Sequence, residues 1–332
     1  MFSRRLDWAN LKMSFECLLK LPHAWLDFWR LYRSFNPDIV YLANHHEAIL
    51  LLPVLIWIRR KVVCHMHDPP PAIAFQKISF FLWRRIVGRF VFISHSAQER
   101  LRQLGALSAS DIVIYNGIDV SPLLMPRQRN DSFCRRFDWS DDCVIFGISG
   151  QISPHKGQYD FVEAAAKVLR FYPKARFVIG GRGRDEYIST LQERVRDLGL
   201  GDYVQFSGWL SSVADFYNAI DVFVLASRHE EGFGLVVAEA GERGLATIAT
   251  RSGGALEIVV DRETGILVDK QSSSALAEAM LLLATNTSLR QEMGKRARDR
   301  VMKEYNLSKQ ADSVAAFLAR IASRGEETEA FV

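Results

Sequence analysis

A chain of 332 residues is long enough for two ordinary domains. With 48% hydrophobic and 24% charged residues it is globular in composition, which excludes the disordered and collagen-like classes. The net charge of +4 is unevenly spread: residues 1–120 hold 15 Lys/Arg against 9 Asp/Glu, a surplus that suits a membrane surface or a phosphorylated lipid and is too small for a nucleic-acid binder.

The chain opens with residues 1–36, where Trp8, Leu11, Phe15 and Leu18, then Trp25, Phe28, Trp29 and Tyr32, predict one or two amphipathic helices. Asp7 and Glu16 interrupt this start and no small-residue cleavage site follows, so it is a poor signal peptide. The longest apolar run, residues 48–58, has eleven residues, short of the roughly 20 that span a bilayer. Cys17, Cys64, Cys134 and Cys143 form no CxxC pair and no zinc spacing, as in a reducing compartment. The expected location is cytoplasmic, at the periphery of the inner membrane face.

Short runs rich in Val, Ile and Phe predict strands at 38–42, 62–67, 90–94 and 112–115. After a charged, aperiodic stretch over 121–142, six more follow at 144–149, 176–180, 203–207, 222–226, 246–250 and 266–268. Helical spacing fills most of the intervals, as in 158–170 and 186–198. Such alternation predicts an α/β chain with two Rossmann-like domains, each a parallel sheet covered by helices. From residue 273 the chain turns helical, ending in a long helix over 307–324 and a loose polar tail over 325–332. A doubly wound domain ordinarily opens with a strand and a Gly-rich turn, but here the first strand comes only at 38–42. The N-terminal domain is therefore expected to be incomplete, and the chain a shortened version of a longer protein.

The densest chemical signal is Arg228-His-Glu-Glu-Gly-Phe-Gly-Leu-Val-Val-Ala-Glu-Ala240, a strand end followed by a Gly-containing turn and a helix start. Free main-chain N–H groups and the helix dipole make such a start a site for an anion. Gly232 and Gly234 let a diphosphate approach, while Glu231 and Glu239 can accept hydrogen bonds from hydroxyls. Taken alone, the two carboxylates are more often a helix-start and a surface residue. Two further turns join them at the same sheet edge: Gly150-Gln-Ile-Ser-Pro-His-Lys156-Gly157, where Lys156 can neutralise phosphate, and Ser252-Gly253-Gly254.

In order, GQISPHKG, FVIGGRG, VQFSGWL, EGFGLVVAE, GG-x-x-E and ETGILV resemble the donor domain of the retaining glycosyltransferase family 4, with the GT-B architecture. PDIVYL, CHMHD, FISHSAQERL and VIYNGID extend the resemblance upstream over most of the chain. It implies a truncated acceptor-side domain at 1–125, a linker at 126–142, a nucleotide-sugar-binding domain at 143–305 and a C-terminal helix and tail at 306–332. Among site residues it implies that Glu231 contacts sugar hydroxyls of the donor and Glu239 the ribose. Phe233 and Gly234, flanked by Gly232 and Leu235, would bring main-chain amides to the sugar phosphate. Lys156 would stabilise the leaving diphosphate, and His67 would contact the transferring sugar. Gly253 and Gly254 would shape the cleft wall, and the loop at 180–183 would meet the base. Catalytic roles thus fall on His67, Lys156 and Glu231. The implied donor is a nucleotide diphosphate sugar, the acceptor a glycan or a lipid-linked molecule, with no further cofactor and no metal. Three departures stand out: Gln151 replaces the usual Arg, Gly241-Glu-Arg-Gly-Leu-Ala246 lacks the usual proline, and the family's opening strand and Gly-Gly loop are missing.

Two other classes remain in view. A non-catalytic nucleotide-sugar-binding homologue is favoured by Gln151 and the incomplete N-terminal domain. A metal-dependent hydrolase would use His45, His46, Glu47, His65, His67 and Asp68, although no structural zinc spacing is present. The segment from Trp83 through Arg84 and Arg85 to Phe90 is read either as a basic-aromatic membrane contact or as a solvated helix face.

Overall fold

The computed structural model describes residues 8–58, 61–67, 83–84, 86–103, 105, 107–119, 130–210 and 212–329, the side chains of 8–19, 45–46 and 324–329 apart. Ten strands stand among these residues, one at each place the apolar runs predict, and every pairing between them is parallel. The chain is an α/β protein of two compact units. Unit 1 comprises Met1–Ile93, Ala97–Ile114 and Ser313–Val332, and unit 2 comprises Ser94–Ser96 and Tyr115–Asp312.

In unit 1 helix α1 (Trp8–Phe35) precedes strand β1 (Val40–Leu42), and α2 (His45–Leu50) and α3 (Leu52–Ile58) lead to β2 (Val62–Met66). Strand β3 (Arg89–Phe92), helix α4 (His95–Gln103) and β4 (Ile112–Val113) follow. The sheet order is β1-β2-β3-β4, with β1 at an edge. The residues 1–36 predicted as one or two helices form a single one over the described part, with Pro22 inside it. Its Phe28, Trp29 and Tyr32 pack with Leu55, Val62, Phe90 and Phe92, which covers one face of the sheet. Val63 and Val91, on the alternate face, pack with Phe317 and Ile321. Each fully buried side chain of this size contributes about 1.5–3 kcal/mol. Trp83 and Phe90 are buried, and Arg84 donates to both oxygens of buried Asp111 at 2.8 and 3.1 Å. These two aromatic rings therefore belong to the core and offer no surface for a bilayer, while Arg85 lies outside the described residues.

Unit 2 begins in the described residues with α5 (Ser132–Phe137), which falls within the 126–142 stretch; residues 126–129 lie outside the described ones. Then come β5 (Val144–Ser149), α6 (Gln158–Leu169), β6 (Ala175–Gly180), α7 (Asp185–Asp197), β7 (Val204–Gly208) and α8 (Val213–Ala219). The second half holds β8 (Val222–Leu225), α9 (Leu235–Glu242), β9 (Ala246–Thr250), α10 (Ala255–Ile258) and β10 (Gly265–Val268). Helices α11 (Ser273–Thr285), α12 (Thr287–Glu304) and α13 (Leu307–Glu329) end the chain. The tail expected to be loose from 325 is helical to Glu329, because Glu-Glu-Thr-Glu carries on a good helix former's sequence with no breaker after Gly325.

The sheet order β10-β9-β8-β5-β6-β7 is that of a doubly wound dinucleotide-type domain. Strand order reverses between β5 and β8, which are neighbours, so the two loops at their C-terminal ends stand where open α/β sheets bind ligands. Those two loops are residues 150–157 and 226–234, the two densest motifs in the sequence.

Candidate functional site

Lys156 ends a single 3-10 turn, Pro154–Lys156, after β5. Gly157 follows it in the left-handed region at φ 71°, and a Cβ there would stand 1.9 Å from the Ala226 carbonyl oxygen. Only glycine lets the two loops approach this closely. Arg228 reinforces the junction twice. Its main-chain N–H donates to the His155 carbonyl at 2.8 Å, and its guanidinium forms a two-point pair with Asp160, 2.7 Å at each contact.

The loops so joined bring Lys156 onto Glu231. The ammonium donates to both carboxylate oxygens, at 2.7 and 2.9 Å, and the Ser227 hydroxyl donates to Oε1 as well. Glu231 is the more buried partner, its side chain 13% exposed against 35% for Lys156. The carboxylate read as a sugar contact is thus also held by the cation read as a phosphate contact.

The third turn packs against the main chain of the same loop. Gly254 N–H donates to the Glu231 carbonyl at 3.0 Å. Gly253 N–H donates to Glu230, whose carboxylate also accepts from Lys270. A Cβ on Gly254 would lie 2.5 Å from Phe233 Cα and from its carbonyl oxygen. Phe233 itself is buried, its ring 6.1 Å from Tyr115 and 5.6 Å from Tyr305, and this aromatic contact anchors the loop immediately before α9. Gly234 caps α9, and the N–H groups of Leu235 and Val236 belong to the first turn, which has no acceptor within the helix.

Glu239, one turn into α9, accepts from the Tyr217 hydroxyl at 2.8 Å. Tyr217 is buried, and burial followed by the nearby Glu239 charge pushes its hydroxyl well above the ordinary tyrosine value, so it remains a donor. A cavity of about 410 Å³ opens beside this pair, lined among others by Ile118, Val213, Tyr217, Leu235, Glu239 and Glu242. Gln151 is exposed, and its carbonyl accepts from the Gln158 amide at 3.0 Å. Ile152 N–H donates to Arg182 O at 2.7 Å, which zips this loop to the one at 180–183, where the exposed Arg182 lies 4.5 Å over the exposed Trp209 ring.

Unit 2 therefore gathers Lys156, Glu231, Gly232, Phe233, Gly253 and Gly254 around one loop junction, with Leu235 and Glu239 on the helix that starts there. His67 lies in unit 1, exposed just beyond β2. Sequence reading missed Tyr217, Ser227, the Arg228–Asp160 pair and the Glu230–Lys270 bridge. Tyr217 sits at a helical core spacing and gives no outward sign; the adjacent Glu230-Glu231 pair could have flagged a second carboxylate. Among the described residues no group of three His, Cys, Asp or Glu could hold a metal ion; the side chains of His45 and His46, and Asp68, lie outside them. Among the described residues, too, no helix is long and apolar enough to cross a membrane.

Glu242, in the altered Gly-Glu-Arg-Gly-Leu-Ala run, is buried, and burial pushes its carboxyl up to about 7 from 4.5 despite Arg243 and Arg298. Its Oε1 has no hydrogen-bond partner among the described residues. A raised value means that the fold favours the protonated form, so this group's contribution is complete below 4.5 and is lost as pH rises through about 7. Glu242→Gln should consequently gain thermal midpoint over the wild type progressively between pH 5 and pH 8. A difference in scanning fluorimetry that stays flat with pH would contradict this.

Residues 133–300 match the family model for glycosyl transferases group 1, and residues 10–122 match that for glycosyltransferase family 4. The chain belongs to the group 1 glycosyltransferases. Among curated relatives it is similar to the lipopolysaccharide core biosynthesis glycosyltransferase LpsE of Rhizobium meliloti, 28% identical over 55% of this chain and 52% of that protein. It resembles equally the GDP-mannose-dependent alpha-(1-6)-phosphatidylinositol monomannoside mannosyltransferase of Mycobacterium tuberculosis, 28% identical over 68% of this chain and 60% of that one. These matches span between about half and three fifths of the relatives' lengths. Among solved structures, HepE of Anabaena in complex with UDP superposes with a TM-score of 0.81 at 22% identity, over 89% of this chain and 82% of that one. This likeness establishes the GT-B fold.

Proposed function

We propose that this glycosyltransferase moves a sugar, with retention of configuration, from a nucleotide diphosphate sugar to a polysaccharide or lipid-linked acceptor. The observation that carries the reading is the Lys156–Glu231 pair at the strand-order reversal, directly before the N-terminus of α9. As the bond to the diphosphate breaks, negative charge grows on the leaving group, and Lys156 with the first amides of α9 is positioned to stabilise it. Glu231 accepts from hydroxyls of the transferring sugar and Glu239 from the ribose, while the Arg182–Trp209 stack offers a platform for the base. His67 takes the sugar contact that the resemblance implies. These protein groups supply the charge stabilisation, so the reading calls for no metal or further cofactor, and it places the enzyme in the cytoplasm at the membrane periphery. Relatives that build lipopolysaccharide core and phosphatidylinositol mannoside support a lipid-linked acceptor, and HepE crystallised with UDP supports the donor class.

Glu231→Gln and Glu239→Gln separate the two carboxylate roles. Calorimetry with UDP, GDP and ADP should show weakened nucleotide binding for Glu239→Gln, by roughly tenfold for one charge-assisted hydrogen bond, and little change for Glu231→Gln. Equal losses in both variants would overturn the assignment. Exposed Gln151, where the family carries a cation, favours a second reading of donor binding without turnover. Normal nucleotide binding with no transfer to any acceptor would select it.

A further inference from the structure

On the reading that His67 contacts the sugar, we propose that His65 is a positioning residue, locked by Tyr41 as the Nε2–H tautomer so that its ring holds the His67 imidazole in one orientation. His65 and His67 stand at alternate positions at the end of β2, hence on one face of the strand, and their ring centroids are 4.2 Å apart with a 40° interplanar angle. Tyr41, on the neighbouring β1, meets His65 Nδ1 through its hydroxyl, edge-on to the imidazole with centroids 5.9 Å apart. Three aromatic rings from two hydrogen-bonded strands are therefore in sequential contact, and the last of them is the candidate site residue.

The direction of the hydrogen bond fixes the tautomer. Phenol is a stronger acid than a neutral imidazole N–H, and an imidazole nitrogen is a stronger base than a phenol oxygen, so the hydroxyl donates and Nδ1 accepts. Tyr41 is only partly covered, at 38% exposure, and this partial desolvation, then the nearby Cys64, pushes its hydroxyl up to about 12, so the donor stays protonated. Burial, then the proximity of His67, pushes His65 down to about 4, which keeps the ring neutral near pH 7. The remaining proton then sits on Nε2, a buried nitrogen with no hydrogen-bond partner among the described residues. A neutral ring at this place restricts the His67 rotamers without opposing a proton on His67, whereas a charged one would repel it.

The test needs no donor. Long-range nitrogen–proton correlation spectra of the full chain, labelled in histidine, read the tautomer, the titration and the number of orientations of each ring. In the wild type His65 should show the Nε2–H pattern with no titration between pH 5.5 and 8, and His67 a single set of signals. In Tyr41→Phe the His65 midpoint should rise by about one unit, since a hydrogen bond that favoured the neutral form is gone, and the His67 signals should broaden or split. His65→Phe, which keeps a ring but removes both nitrogens, should likewise disturb the His67 signals while the rest of the spectrum stays folded. An Nδ1–H pattern in the wild type, or His67 signals unchanged in both variants, would overturn the proposal. Sugar transfer by the same samples reads the proposed function separately: its absence in a wild type with an ordered His67 removes that function and leaves the lock standing.

Discussion

Lys156→Ala should lower donor turnover by roughly a hundredfold, the scale of losing one preorganised charge stabiliser, while the thermal midpoint falls by only a few degrees. The cation stands at the end of a turn fixed by Gly157, so its position costs nothing to reorganise when charge develops. Without it, Glu231 keeps the Ser227 hydroxyl but loses its charged partner, and part of its negative charge is then free to oppose the diphosphate. The two residues should therefore behave as one unit. A double-mutant cycle of Lys156→Ala with Glu231→Gln is expected to be strongly non-additive in kcat. Turnover close to wild type in Lys156→Ala would remove the lysine from the chemistry, and losses that simply add would show that the two residues do not act as a unit.

Gly253→Ala, like Gly157→Ala, should be strongly damaging for a single-methyl change at the site. The residue is left-handed at φ 46°, and its added Cβ would stand 1.9 Å from the Glu231 carbonyl oxygen, a main-chain atom with no flexible side chain to yield. Left-handed strain costs on the order of 1–3 kcal/mol, and displacing the Glu231 main chain adds to it. For a domain of this size a total near 3 kcal/mol lowers the midpoint by roughly 6–12 °C. Because the displaced atoms belong to the Glu231 loop, nucleotide-sugar turnover should fall as well, even at temperatures where the protein is folded. A midpoint within about two degrees of wild type would show that the 253 and 231 loops are not packed as described.

Ten strand positions were readable because doubly buried parallel strands write themselves as continuous Val/Ile/Phe runs, and runs such as 144–149 and 246–250 need no partner to be recognised. The placement of Lys156 and Glu231 at one edge was readable too, since each motif follows a strand directly. Their mutual ion pair was not, because 75 residues separate them and only the adjacency of β5 and β8 brings them together. Tyr217 was hidden for another reason: a buried tyrosine has the spacing of any core residue, and its hydroxyl's destination lies on a different helix. Helix α13 continues to Glu329 past a glycine and a polar run that read as an ending, because Glu-rich sequence is helix-forming once a helix is already nucleated. The Tyr41–His65 contact depended on strand register, with Tyr41 opposite Val63, which no local pattern specifies.

The central claim, that the loops after β5 and β8 and the start of α9 bind a nucleotide diphosphate sugar, is tested most directly by thermal shift. The full chain is titrated with GDP-mannose, UDP-glucose and ADP-glucose, and a ligand that binds only the native state raises the midpoint in proportion to its affinity. One base should give a saturable rise of several degrees in the wild type, strongly reduced in Glu239→Gln. No rise with any of the three at millimolar concentration, or an equal rise in wild type and Glu239→Gln, would contradict it.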